Sequence, residues 1–94
     1  MDMNDFSLKG KIAWITGASY GIGFAIAEAF HAAGAAIVFN DINQELVDKG
    51  LAAYAEKGIP AKGYVCDVTN EEAVKALVER IENEVGVLLM RLPF

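Results

Sequence analysis

The chain has 94 residues, enough for one small domain, and its 54% apolar content can supply a core even at that size. No apolar run approaches the roughly 20 residues of a membrane span, and a net charge of −5 argues against nucleic acid or an anionic membrane as partner. The acidic start Met1–Asp5 lacks the marks of a secretory signal, and the one cysteine, Cys66, cannot close an internal disulfide; both imply a cytoplasmic protein.

After a short leader, Lys11–Thr16 is the mostly apolar run expected of a buried parallel strand. A glycine-rich stretch, Gly17–Gly23, leads into Ile22, Ala25, Ile26, Ala29, Phe30 and Ala33, the spacing of one helical face, with Gly34 placed to end it. Ala36–Asn40 predicts a second strand. Asn43–Lys57 is helical, with Val47, Leu51 and Tyr54 on one stripe, and Gly58 and Pro60 stop it. Gly63–Val68 predicts a third strand. Thr69 stands three residues before Glu72, the spacing of a capping box, and Val74, Leu77, Val78, Ile81 and Val85 form the stripe of a third helix that Gly86 closes. Glu71 and Lys75 form a favourable i, i+4 pair. The tail, Val87–Phe94, can pair as a short fourth strand or hang free. Strands alternating with helices predict an α/β, Rossmann-like parallel sheet, one unit over residues 1–94.

Thr16-Gly17-Ala18-Ser19-Tyr20-Gly21-Ile22-Gly23 follows a strand and opens a helix, with an acid, Asp41, 18 residues beyond its last glycine. Gly17 allows a tight turn, Gly21 a close approach by a pyrophosphate, and Gly23 close packing of the helix. Free amides at the helix start would then face the phosphates.

This glycine spacing resembles the Thr-Gly-x-x-x-Gly-x-Gly signature of short-chain dehydrogenases/reductases. Leu8-Lys9-Gly10-Lys11, Asn40-Asp41 and Cys66-Asp67-Val68 are similar to that family's pattern too, over Phe6 to about Val87. Phe39–Asn43 and Gly63–Thr69 most resemble bacterial gluconate 5-dehydrogenases. The resemblance implies an NAD(P)-dependent oxidoreductase acting on a secondary alcohol. It assigns cofactor contacts to Gly17, Ser19, Tyr20, Gly21, Ile22 and Gly23, the adenosine ribose to Asp41, and adenine to Asp67 and Val68. On turn chemistry alone, the lesser alternative is that Asp41 is a helix-entry turn residue and Asp67 a turn after a strand. NAD is favoured over NADP because the Asp41 carboxylate repels a 2′-phosphate and neither Tyr20 nor Ile42 is basic.

The family's Tyr-x-x-x-Lys pair and catalytic Ser have no counterpart among these 94 residues, so an inactive fragment with no catalytic residues of its own is expected. Self-association through an exposed sheet edge is expected with it. A non-catalytic nucleotide-binding or interaction module, or a non-functional gene remnant, is the alternative. No metal-ligand spacing is present. His31 and Glu82-Asn83-Glu84 are expected on wet surface, Cys66 as a buried strand thiol and Trp14 in the core.

Overall fold

Alternating apolar strands and amphipathic helices leave few ways to bury both faces of a sheet, and the computed structural model, which describes residues 7–85 and the backbone of 90–92, adopts one of them. Its elements are β1 (Ile12–Thr16), α1 (Gly21–Ala32), β2 (Ala36–Asp41), α2 (Gln44–Glu56), β3 (Ala61–Val65), α3 (Glu71–Glu84) and β4 (Met90–Leu92). The sheet is parallel throughout, in the order β3-β2-β1-β4, which is a Rossmann-like open sheet. Ile12 pairs with Ala36 and Thr16 with Asn40, while on the other side Ala13 pairs with Met90 and Ile15 with Leu92. Part of the tail therefore does form a fourth strand, and β1 lies between β2 and β4. Residues 86–89, 93 and 94, with the expected stop at Gly86, lie outside the described residues.

Side-chain alternation sorts the strands into two cores. Ala13, Ile15, Ile37 and Phe39 face Ala27 of α1 and Val47 and Tyr54 of α2. Trp14, Val38 and Tyr64 face Leu77 and Ile81 of α3. On the first face Tyr54 stacks on Phe24, with ring centroids 4.4 Å apart, and tilts against Phe39 at 5.1 Å. Such ring pairs add about 0.5–1.5 kcal/mol beyond burial. The apolar stripes read for α2 and α3 are the ones that pack, and Lys75 pairs with Glu71 at 3.6 Å.

Other expectations need correction. The third strand runs Ala61–Val65, starting two residues early and ending three early, because its ladder ends where β2 ends, at Asp41 opposite Val65. Cys66, Asp67 and Val68 thus lie in the following loop. Thr69 does not cap α3: its amide and hydroxyl both donate to Asp67 Oδ1, and Asn70 Oδ1 accepts the Ala73 amide at 3.1 Å instead. On α1, Ala27 is the buried residue, with Phe24, Ile26, Phe30 and Ala33 packed around it, whereas Ile22, Ala25 and Ala29 are exposed. A helix apolar nearly all round has no single legible stripe. His31 is half-buried, not wholly on wet surface. Among the described residues no helix is long and apolar enough to cross a membrane.

Glu84 is likewise more than a solvated acid. Its carboxylate accepts from Arg80 Nε at 2.7 Å and from the Tyr64 hydroxyl at 3.0 Å, tying the last turn of α3 to β3. Arg80 first, then Tyr64, hold the Glu84 carboxyl below its ordinary value of 4.5. A depressed folded pKa stabilises the fold above the ordinary value and is lost as pH falls through the lower one. We expect the melting temperature to fall less steeply in Glu84→Gln than in the wild-type chain between about pH 6 and pH 3, around the ordinary glutamate pKa. Circular dichroism across that range checks it.

Candidate functional site

At the carboxyl end of the sheet, β1 runs into a loop whose backbone only glycine adopts without strain. Gly17 and Gly21 have φ of +65° and +66°, in the left-handed region. A Cβ on either would meet nothing within 4 Å, so both backbones border open space. Gly23 is required for a different reason: a Cβ there would stand 2.8 Å from the Gly17 carbonyl oxygen and 3.0 Å from Ala18 Cα. The first turn of α1 is thereby pressed onto the loop.

The loop is tied from behind. The Tyr54 hydroxyl, from α2, donates to the Ala18 carbonyl at 2.6 Å. Burial first, then the Glu28 carboxylate, push the Tyr54 phenol far above its ordinary pKa, so it stays a neutral donor. Its neighbour in the loop, Ser19, is only 4% exposed, yet its Oγ has no hydrogen-bond partner among the described residues. A buried hydroxyl without a partner costs about 1–3 kcal/mol. Helix α1 is left open in the same way. Asn43 and Asn70 cap α2 and α3, but Tyr20 makes no side-chain cap and the first turn of α1 holds no acid. The first-turn amides of α1 therefore have neither an intrahelical acceptor nor a capping side chain.

Two clefts flank this loop. Thr16, Gly17, Asn40, Asp41, Ile42, Cys66, Asp67, Val68 and Thr69 line one of about 180 Å³. Gly17, Ile22, Gly23 and Ile26 line another of about 360 Å³, and Thr16 and Gly17 are common to both. Of the residues read from the sequence, Gly17, Asp41, Asp67 and Val68 thus meet in the first cleft. Ile22 and Gly23 border the second, Ser19 is buried within the loop, and Tyr20 is 67% exposed. Asp41 Oδ1 accepts the Ile42 amide at 2.9 Å. Asp67 is held by Thr69, whose hydroxyl at 2.6 Å and amide at 2.9 Å keep its carboxyl below the ordinary range. Each acid makes the turn bond expected of it and keeps Oδ2 unengaged among the described residues. The Cys66 thiol is buried, and burial first, then Asp67, raise its pKa, which makes it a poor nucleophile.

Asn40 is the site residue that sequence reasoning left without a role. Its Oδ1 accepts from Trp14 Nε1 at 2.8 Å and its Nδ2 donates to the Cys66 carbonyl at 3.3 Å. A signal for it was present: a buried Trp needs an acceptor, and strand alternation puts residue 40 on the face of Trp14 and Val38.

A larger cavity, about 520 Å³, lies at the opposite end of the sheet, lined by His31, Ala36, Pro60, Ala61 and Lys62 among others, and none of the sequence-read site residues borders it.

A family model described as enoyl-(acyl carrier protein) reductase matches residues 17–90. The chain belongs to the short-chain dehydrogenase/reductase family. That family binds a nicotinamide dinucleotide. Among curated short-chain dehydrogenases/reductases, 2-dehydro-3-deoxy-D-gluconate 5-dehydrogenase of Formosa agariphila is 44% identical over 92% of this chain and 33% of its own length. A probable NADP-dependent mannitol dehydrogenase of Yarrowia lipolytica is 45% identical, over 89% of this chain and 30% of its own. The crystal structure of 2-keto-3-deoxy-D-gluconate dehydrogenase from Streptococcus agalactiae superposes with a TM-score of 0.90 at 63% identity, covering 92% of this chain and 32% of that one. The chain spans about a third of the length of these relatives.

Because Gly23 meets backbone and not a movable side-chain tip, a methyl group there has no easy relief. We expect Gly23→Ala to cost about 1–3 kcal/mol of stability, the range for overpacking. Urea denaturation checks this, and a midpoint equal to wild type would contradict the contact.

Proposed function

We propose that the chain is the dinucleotide-binding portion of a cytoplasmic oxidoreductase that interconverts a secondary alcohol and a ketone on a sugar acid. The observation that carries the reading is the Ser19 hydroxyl, buried and without a partner among the described residues, in a glycine loop beside an uncapped helix start. A pyrophosphate supplies the acceptors that the hydroxyl and the free amides lack, and Gly17 and Gly21 leave room for it. When bound, the nicotinamide gives or takes the hydride. The chain's own part is to hold: Gly17, Ser19, Tyr20, Gly21, Ile22 and Gly23 at the pyrophosphate, Asp41 at the adenosine ribose, Asp67 and Val68 at adenine. The sugar-acid substrate rests on the names of the two gluconate-type relatives.

The free oxygen of Asp41 can accept from a ribose 2′-hydroxyl and repels a 2′-phosphate. Tyr20 and Ile42, both exposed, offer no positive charge to offset it. NAD is therefore the preferred cofactor, although one relative is named as NADP-dependent. Isothermal titration tests the reading: NAD binds the wild-type chain at least as tightly as NADP, with no turnover on gluconate or 5-ketogluconate, since the chain has no Tyr-x-x-x-Lys pair. Asp41→Ala narrows the NAD preference by about tenfold, the scale of one unit-charge repulsion near a wet surface. A wild-type chain that binds neither dinucleotide overturns the reading.

The exposed Ile22, Ala25 and Ala29 face of α1 supports self-association of the isolated chain, as does a sheet in which β4 follows β1 with no further described strand beyond it. The contact runs through β4 and that helix face, not through β1, which β4 covers. Sedimentation velocity at tens of micromolar, roughly the range where such association shows, is expected to give dimers or larger species. A compact monomer there would refute it.

A further inference from the structure

We propose that Asn40 is the positioning residue of the 180 Å³ cleft, holding the Cys66–Thr69 wall at a set distance from the Asp41 wall. The inference rests on the dinucleotide reading only for what the cleft takes, not for how it is held.

The residue is 1% exposed at the end of β2, and its two neighbours ask for opposite things. Trp14 Nε1 is a donor only, and the Cys66 carbonyl is an acceptor only. A side-chain amide is the group that serves both, in one orientation: Oδ1 toward Trp14, Nδ2 toward Cys66. The backbone alone leaves this wall loosely held. Past Val65 the β2–β3 ladder has ended, and the Cys66 amide makes one last bond, to the Asp41 carbonyl at 2.9 Å. Beyond that, Asp67 and Thr69 bond to each other and Asn70 bonds back to Asp67, so the turn is internally ordered but not anchored to the sheet. Besides the packing of the buried Cys66 side chain, the Asn40 amide supplies the side-chain hydrogen bond from the sheet to this wall among the described residues. Through it, the rigid indole of Trp14, packed between Val38 and α3, is passed on as a fixed position for Asp67 and Val68.

The backbone bonds of residue 40 survive any substitution: its carbonyl accepts the Gly17 amide at 2.8 Å whatever the side chain. Variants are therefore expected to keep the sheet and lose the anchor. Asn40→Ala removes the amide, and Asn40→Leu removes it while keeping its branched outline in a bulkier side chain, so that the second carries the test if the first fails to fold. Ile81→Val, on the same core face but away from the cleft, is the control for general loosening.

Cys66 is the single cysteine and is 7% exposed, so the rate at which an aromatic disulfide reagent labels it reads opening of this wall with no ligand present. After correction for global unfolding measured in urea, labelling is expected to rise about tenfold in Asn40→Leu, on the order of one lost buried hydrogen bond, and less than about threefold in Ile81→Val. Affinity for AMP is expected to fall about tenfold in Asn40→Leu by the same loss, with inorganic pyrophosphate bound as in wild type. Labelling in Asn40→Leu no faster than in Ile81→Val overturns the assignment of Asn40. A wild-type chain that binds no AMP overturns the dinucleotide reading instead, and labelling still decides the role of Asn40.

Discussion

The reversal of direction at β1 governs everything at the ligand end of this fold. Right-handed crossovers from β1 to β2 and from β2 to β3 move the same way along the sheet, which puts α1 and α2 on one face. The next crossover must return past both strands to reach the far side of β1, and the same handedness puts α3 on the other face. Loops on either side of β1 consequently part in opposite directions. The crevice between them is a product of topology before any side chain is chosen, and the glycine loop occupies its rim.

Side chains then decide what that crevice can hold, and the two faces divide the work. From the α2 side, Tyr54 fixes the loop by its Ala18 carbonyl and leaves the amides of α1 facing outward. From the α3 side, Trp14 and Asn40 hold the wall that bears Asp67. Neither device reaches the cleft directly with a charged group. The charges in the cleft, Asp41 and Asp67, are both negative, and each already has one oxygen committed to a neighbouring amide. Such a cleft suits hydroxyl and amino donors, while the uncharged loop alongside, with its helix-start amides, suits an anion.

Much of this was legible in the residues. Continuous apolar runs marked β1 and β2 because parallel strands are buried on both faces, and single stripes marked α2 and α3 because each rests on one. The edge strand was harder to read. β3 carries Lys62 and Gly63 and lacks a dense apolar run, so its end was set by the partner strand and not by its own composition. The face of α1 was misread because nearly every position on it is apolar. Among site residues, the glycines and Asp41 carried their own local signature. Asn40 and Tyr54 act across 26 and 36 positions of sequence, and Thr69 gave up an expected cap for a closer acceptor; such choices depend on who is near, not on who is adjacent.

The pairing of β4 with β1 also sets an order of events during folding. β1, β2 and β3 meet in sequence, each through one short crossover, and those contacts form early. The β4 contact closes a loop from Ile15 to Leu92, nearly the whole chain, and its entropy must be offset by only three residue pairs. Until that closure β1 presents a bare apolar edge, already flanked on its other side by a finished sheet. The time spent in that state is a property of the topology. A refolding chain of these 94 residues is therefore most exposed to wrong partners once β1 to β3 have paired and before β4 docks.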